Sequence, residues 1–296
     1  MRISEFLGLV RAWSLFMTVA VFVVGVGYAY FLGLLRGVGV LYALIALIGV
    51  LLLHVSVNVL NDYFDFRHGV DTPGSPTAVY RRHPILSGVV GLRTAVFVGF
   101  VALVGGVLLG LYLVFVVGLW VLVFGLIGVF LVYAYTGPPF VLKYRALGEV
   151  VVALTWGPLL IGGFFVVASL GVLVPSVFLV SIPPMLVMLA IIYSNNYRDR
   201  EYDRRAGITT LAMLTGRFGF VIYVSSLVLA LVITVVLSLV GVLPVTSLLA
   251  LVTVVLVPGL VRSFRLGVSD IDARTGRFYT LFCLLYGVGI AMGHFV

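Results

Sequence analysis

Acidic and amide side chains close one long apolar run in the first half of the 296-residue chain. Asn58, Asn61, Asp62, Asp65 and Asp71 supply two carboxamides and three carboxylates within one short stretch. Oxygen atoms of this kind are hard ligands, which suit Mg²⁺ better than zinc. Each ionised carboxylate inside a membrane costs roughly 2.5 to 3.5 kcal/mol, so clustered acids at the end of an apolar run call for a cation. The stretch therefore predicts a metal-assisted site.

Helical spacing places the polar side chains of this stretch on one face, because steps of three and four residues return to the same side of a helix. The face consists of His54, Asn58, Asn61 and Asp65. In the second half of the chain, Asn196, Asp199 and Asp203 repeat the same three-then-four steps. We expect the two acidic helix ends to form two walls of one site.

The composition excludes a soluble domain with a water-facing surface. Hydrophobic residues make up 63% of the chain, charged residues make up 9%, and the mean hydropathy is +1.29. These values predict an integral membrane protein. The net charge of +8 does not indicate nucleic-acid binding, because the basic residues are divided among short segments between apolar runs. The single cysteine, Cys283, allows no internal disulfide.

Nine apolar segments are long enough to cross the hydrocarbon core, which takes roughly 17 to 25 residues each. The predicted spans are 12–33, 39–62, 90–111, 113–134, 147–170, 176–197, 218–240, 244–262 and 277–295. We interpret the first segment as a transmembrane helix and not as a cleavable signal peptide, because it lacks a clear small-residue cleavage site. We predict an all-α membrane protein, with one membrane-embedded domain over residues 1–296 and nine helices in two related halves around a central cavity.

The basic residues predict the orientation in the cell membrane. With a cytoplasmic N-terminus, 17 of the 18 Lys and Arg residues fall on the cytoplasmic side and only Arg36 falls opposite, as the positive-inside rule requires. The C-terminus is then outside. All ten acids share the cytoplasmic side. Solvation of loops explains Glu5, Asp270 and Asp272, whereas the acids that end the second and sixth spans continue inward-facing stripes.

Several cations are expected near the acids. Lys143, Arg82 and Arg198 lie on the same side of the membrane, and Arg11 lies near the cytoplasmic end of the first span. Mg²⁺ usually binds through one or two carboxylates together with phosphate oxygens, so two facing acidic clusters suit two ions that bridge one diphosphate. The cations would complete such a site, and contact with lipid headgroups is the alternative role for each of them.

The two acidic motifs resemble the paired Asp-rich motifs of the UbiA superfamily of intramembrane prenyltransferases. The likeness lies in Asn61-Asp62-Tyr-Phe-Asp65 through Asp71 and in Asp199-Arg-Glu-Tyr-Asp203. Helix count, motif placement and loop positions agree along nearly the whole chain. The resemblance implies that Mg²⁺ and diphosphate are held by Asn61, Asp65, Asp71, Asp199 and Asp203, with Asp62, Asn58 and Asn196 as second choices.

Further roles follow from the same resemblance. Asp65, Asp199 and Lys143 are the expected catalytic residues. Asp71 follows Asp65 by six residues, where many members of the superfamily have a step of four. Lys143 and Arg82 resemble the basic residues that bind phosphate in the superfamily. Substrate contacts are expected from Asn58, Asn196, Arg11, Arg82, Lys143, Arg198 and Tyr135.

The implied reaction is ionisation of an allylic polyprenyl diphosphate, followed by capture of the allylic cation by an electron-rich aromatic ring. Mg²⁺ and Lys143 would stabilise the charge on the leaving diphosphate. Aromatic faces would shelter the cation. The residues that offer such faces are Tyr63, Phe64, Tyr135, Trp156, Tyr193 and Tyr197.

Within the superfamily the chain looks most like the menaquinone branch, which prenylates dihydroxynaphthoate or related naphthoquinones. This likeness is carried by Gly69-Val-Asp71-Thr, Tyr135-Thr-Gly137 and Asn195-Asn196-Tyr-Arg198-Asp199. Hydroxybenzoate and geranylgeranylglyceryl phosphate stay open as acceptors, because those branches share the acid motifs. A cation-coupled transporter is the rival outside the enzymes, since intramembrane carboxylates and related halves also mark transporters.

Overall fold

The computed structural model describes residues 2–72 and 83–296, and within these ranges the chain forms helices and no β-strand. The all-α prediction is therefore confirmed. In chain order the helices are α1 (Ile3–Leu9), α2 (Ala12–Phe31), α3 (Gly39–Arg67), α4 (Leu92–Val117), α5 (Leu119–Ala134), α6 (Gly148–Ala168), α7 (Ser176–Arg205), α8 (Leu211–Leu214), α9 (Gly219–Leu239), α10 (Val245–Arg265) and α11 (Ile271–Met292).

Eight of the described helices are long and apolar enough to cross a membrane, which makes the chain an integral membrane protein. They are α2, α3, α4, α6, α7, α9, α10 and α11. The remaining predicted span corresponds to α5, an apolar helix of 16 residues, which rises about 24 Å at 1.5 Å per residue.

The break before α5 lies later in the chain than its expected position near residue 112. Helix α4 runs on to Val117, and the chain turns at Gly118, where φ is 121°. That backbone conformation favours glycine because a Cβ atom would be strained there.

Packing among the long helices leaves a cavity that is lined by residues of α2, α3, α5, α6 and α7. Helix α2 packs against α3, α6 and α11, and α7 packs against α9 and α11. Fully buried aromatic side chains such as Phe164, Tyr223 and Tyr286 fill these contacts. The C-terminal ends of α3 and α7 reach the same end of the bundle, which we call the acidic end because Asp65 and Asp203 lie there.

Helix α6 is interrupted where it faces the cavity. Residues Thr155–Leu159 form a π turn that contains Pro158, whose ring removes one backbone donor from the helix. Turns of this kind are frequent at functional sites. Here the turn includes Trp156, which lines the cavity.

Candidate active site

The first acidic wall is the inner face of α3. His54, Asn58, Asn61 and Asp65 all line one cavity, so the predicted polar face is confirmed. Asn58 donates hydrogen bonds from Nδ2 to the Val10 carbonyl and to Ser14 Oγ, both at 3.1 Å. These bonds tie α3 to the junction of α1 and α2.

The end of α3 explains how Asp71 reaches the cavity despite its six-residue distance from Asp65. The Val70 N–H donates to the Asp65 carbonyl at 2.9 Å, and the Gly69 N–H donates to the Phe66 carbonyl at 3.2 Å. With φ of 71° at Gly69, this is a Schellman motif. The motif reverses the chain after the helix, and Asp71 lines the same cavity as Asp65.

The second acidic wall is the inner face of α7, and it ends in the same way. Asn196, Asp199 and Asp203 line the cavity. The Ile208 N–H donates to the Asp203 carbonyl at 3.0 Å, and Gly207 has φ of 74°. The last acid of each wall therefore occupies the same position in a Schellman motif. This equivalence agrees with the predicted relationship between two halves.

Lys143 joins the first wall from the segment between α5 and α6. Its Nζ lies 2.5 Å from Asp65 Oδ2 and 3.4 Å from Asn61 Oδ1. Tyr144, which was not expected from the sequence, donates from Oη to Asp65 Oδ1 at 2.6 Å. The Thr209 N–H holds this segment by donating to the Tyr144 carbonyl at 3.2 Å. Both oxygens of Asp65 are thus engaged by one short segment.

Burial and nearby charges shift the pKa values of three side chains in the segment between α5 and α6. Burial lowers the pKa of Lys143, but the negative charge of Asp65 and its neighbours outweighs burial and raises it above its ordinary value. Removal from water raises the pKa of Tyr135 to about 12, and burial together with Asp65 raises that of Tyr144. Lys143 is therefore a cation and both tyrosines are neutral at physiological pH, and Tyr144 is a hydrogen-bond donor to Asp65.

Arg198 is bound to acids rather than directed into the cavity. Its guanidinium lies 2.6 Å from Asp199 Oδ1 and 2.9 Å from Asp272 Oδ1. The expectation that Asp272 is a solvated loop acid is wrong: only 8% of it is exposed, and it lines the cavity. The error arose because Asp272 lies in the first turn of α11, whose packing against α7 is not visible in the local sequence.

Arg11 and Asp62 form an ion pair beside the first wall. Arg11 lines the cavity, whereas the fully buried Asp62 does not. His83, another residue that the sequence did not indicate, lies 3.0 Å from Asp71 Oδ2 and 3.8 Å from Asp62 Oδ1. Burial alone would raise the pKa of Asp71, but the hydrogen bond from His83 and the charge of Lys143 lower it below its ordinary value. The predicted phosphate contact Arg82 lies outside the described residues.

The cavity encloses about 320 Å³, and away from the acidic end its lining is mostly apolar, with a few polar side chains such as His54 and Thr18. Its apolar wall comes from α3, α5, α6 and α7, with side chains such as Leu53, Leu131, Leu159 and Ile191. Of the aromatic residues expected to shelter a cation, Tyr135 and Trp156 line it. One end can therefore hold a charged group, and the rest can hold a hydrocarbon chain.

The oxygen donors fit Mg²⁺. Five carboxylates line the cavity, from Asp65, Asp71, Asp199, Asp203 and Asp272. Lys143 and Arg198 pair with three of them. Among the described residues, no side chain donates a hydrogen bond or forms an ion pair with the Asp203 carboxylate. Counted over the described part of the chain, the carboxylates at this membrane-embedded cavity outnumber its cationic side chains; such an excess calls for cations, and hard oxygen donors favour Mg²⁺.

The sequence matches one family of proteins. The model of the UbiA prenyltransferase family matches residues 14–286. UbiA prenyltransferase domain-containing protein 1 of Danio rerio is 33% identical over 217 residues, which cover 72% of this chain and 62% of that protein. The 1,4-dihydroxy-2-naphthoate octaprenyltransferase of Bacillus subtilis is 32% identical over 187 residues, which cover 62% of this chain and 58% of that enzyme. The aligned part is less than two thirds of either relative.

The fold is also found in a solved structure. A UbiA homologue from Archaeoglobus fulgidus, bound to GPP and Mg²⁺, matches with a TM-score of 0.64 over 97% of this chain and 99% of that chain. The sequence identity is 14%, so this likeness concerns the fold alone.

Proposed function

The chain belongs to the UbiA prenyltransferase family, and from this premise we propose that it transfers the prenyl group of a polyprenyl diphosphate to an aromatic acceptor with Mg²⁺ as cofactor. The observation that carries the proposal is one apolar cavity whose acidic end combines Asp65 and Asp71 with Asp199, Asp203 and the ammonium of Lys143. A prenyl diphosphate has the matching form, with a dense negative charge at one end of a hydrocarbon chain.

Oxygen donors from both walls would hold the metal and diphosphate. We assign this role to Asn61, Asp65, Asp71, Asp199 and Asp203. When bound, Mg²⁺ supplies Lewis acidity that stabilises negative charge on the leaving diphosphate. Asn196 and Asn58 are assigned to substrate contact, because both line the cavity next to these acids.

Lys143 stabilises the same leaving charge as a fixed cation. Its raised pKa keeps it protonated, and Asp65 and Asn61 hold its Nζ in place before the substrate arrives. A donor that is already oriented costs no reorganisation when charge develops. We assign Arg11 and Arg198 to substrate binding, because their positive charges attract the diphosphate.

The transfer itself conserves atoms and electrons. The bond between the allylic carbon and the diphosphate oxygen breaks, and the diphosphate keeps the electron pair. An electron-rich ring carbon of the acceptor then forms a bond with the allylic carbon, and the ring regains aromaticity by losing a proton or, from a naphthoate, its carboxyl group as CO₂. The apolar wall excludes water that would otherwise capture the cation, and the ring of Trp156 offers a π face beside it.

The proposed acceptor is dihydroxynaphthoate or a related naphthoquinone, the latter in its reduced hydroquinone form, since only that form has an electron-rich aromatic ring. Support comes from the Bacillus subtilis relative, a dihydroxynaphthoate octaprenyltransferase. The acceptor is tested by incubating the purified protein with Mg²⁺, geranylgeranyl diphosphate and equal amounts of dihydroxynaphthoate, hydroxybenzoate and geranylgeranylglyceryl phosphate. We expect the naphthoate product in mass spectra. Exclusive prenylation of either other acceptor would refute the naphthoate assignment.

The transporter alternative receives less support. A transport path needs polar groups through the membrane, whereas the cavity-lining carboxylates gather at the acidic end. We propose that this end faces the cytoplasm, with the N-terminus inside and the C-terminus outside, because the basic residues crowd the same side.

A further inference from the structure

His83 is a buried histidine without an assigned part in the transfer. Its side chain is 1% exposed, and its Nε2 faces Asp71 Oδ2 at 3.0 Å and Asp62 Oδ1 at 3.8 Å. Ligand atoms of these three residues all lie within 4.8 Å of one another. His83 is therefore either a metal ligand together with both acids or a hydrogen-bond donor to one of them.

The hydrogen bonds of the ring distinguish these roles. The Leu86 N–H donates to His83 Nδ1 at 3.3 Å, so Nδ1 carries no proton. The neutral ring then has its proton on Nε2 and donates it to Asp71. This proton occupies the lone pair that a metal ion would need. Asp62 already forms an ion pair with Arg11, so among the described residues each acid of the cluster has a partner without a metal ion.

Asp71 needs such a partner because it lies beyond the helix. Helix α3 ends at Arg67, and the backbone of Asp71 is held by its N–H donating to the Asp65 carbonyl at 3.2 Å. That bond fixes the peptide but not the carboxylate. The contact from His83 engages Oδ2 only, and the Asp71 side chain remains 11% exposed where it lines the cavity. One oxygen is thereby left for a ligand.

We infer that His83 is a positioning residue that orients the Asp71 carboxylate, a proposed metal ligand, toward the cavity. The inference rests on the proposed Mg²⁺-dependent transfer. Loss of a partner that orients a metal ligand typically costs about 10- to 100-fold in metal affinity. His83→Ala should therefore weaken metal binding by this factor, and activity should return at high Mg²⁺ concentration with kcat largely kept.

The test measures Mn²⁺ binding to the substrate-free protein by electron paramagnetic resonance, together with the Mg²⁺ dependence of transfer. Asp71→Asn should weaken Mn²⁺ binding like His83→Ala. His83→Gln should recover most of the affinity, because its amide can still donate to Asp71. His294→Ala is the matched control, since His294 contacts Tyr30 and Phe295 far from the acidic end.

Each alternative result has a distinct meaning. Wild-type affinity in His83→Ala, or equal loss in His83→Gln and His83→Ala when both remain folded in thermal unfolding, overturns the positioning role. Stoichiometric Zn²⁺ that is lost on substitution of His83 would make His83 a ligand and also overturn it. A wild-type protein that binds no Mn²⁺ but transfers prenyl groups without metal would instead refute the proposed function, and the inference with it.

Discussion

Lys143 Nζ lies 2.5 Å from Asp65 Oδ2, across 78 residues of sequence. The contact couples a fixed cation to the last acid on the inner face of α3. Since Tyr144 donates to the other oxygen of Asp65 at 2.6 Å, the segment between α5 and α6 sets the position of both the cation and the acid. We regard this coupling as the preorganised part of the site.

Replacement of Lys143 by Met should weaken use of the prenyl diphosphate. The substitution removes the cation beside the proposed diphosphate while keeping a similar side-chain length. We expect kcat/KM for the prenyl diphosphate to fall by roughly 100-fold, as for loss of one preorganised charge-stabilising donor. The measurement is initial rate against prenyl diphosphate concentration.

Arg145→Met provides the matched control for Lys143→Met. Arg145 is exposed, donates to the Pro139 carbonyl and does not line the cavity, so its loss should leave the rate unchanged. If the rate of Lys143→Met depended on prenyl diphosphate concentration as in the wild type, Lys143 would not bind the diphosphate and would only contribute to membrane topology.

Asp62→Asn should affect stability more than metal use. Asp62 is fully buried beside Arg11 and does not line the cavity. Loss of one partner of a fully buried ion pair costs roughly 3 to 5 kcal/mol, and we expect a smaller loss here because the Arg11 side chain is 22% exposed. We expect a lower Tm, partly recovered in the double variant Arg11→Gln/Asp62→Asn. A higher Mg²⁺ requirement with unchanged Tm would instead make Asp62 a metal ligand.

Chelation should stop the reaction, because the surplus carboxylates at the acidic end require a cation. We expect no product in excess EDTA and full recovery on adding Mg²⁺. Transfer that persists in EDTA after dialysis would exclude metal-assisted ionisation.

The membrane orientation can be tested with introduced cysteines. Native Cys283 is buried, so a Cys283→Ala background should be functional and silent toward thiol reagents. In intact cells, an impermeant maleimide should label Arg36→Cys but not Arg274→Cys, since both sites are exposed and lie at opposite ends of the bundle. The reverse pattern would invert the proposed topology.

Local patterns in the sequence predicted much of this structure. Hydropathy located the long helices, and the three-then-four spacing identified the side chains of α3 and α7 that share the cavity. These features depend on helix periodicity, which is a property of neighbouring residues. The glycines at positions 69 and 207 also carried a signal for helix termination in a Schellman motif, which would have explained the late position of Asp71.

Partners supplied by distant segments were not predictable in the same way. His83 and Tyr144 act on acids that lie 12 and 79 residues away. In the sequence, Asp272 cannot be told apart from a solvated loop acid. Its position at the cavity depends on the packing of α11 against α7. A weak signal existed for Tyr144, which directly follows Lys143.

We propose that acids of both walls act together in one Mg²⁺-dependent transfer. Product formation from geranylgeranyl diphosphate and dihydroxynaphthoate in purified Asp65→Asn and Asp199→Asn tests this joint action. Each substitution removes one cavity-lining charge without changing side-chain volume. Asp270→Asn is the control, because Asp270 does not line the cavity and its partly exposed side chain pairs with Arg274. We predict that both wall variants remain folded and lose at least about 100-fold in rate, while the control keeps its activity. Near-normal turnover by either folded wall variant at saturating Mg²⁺ would show that the two walls do not act together.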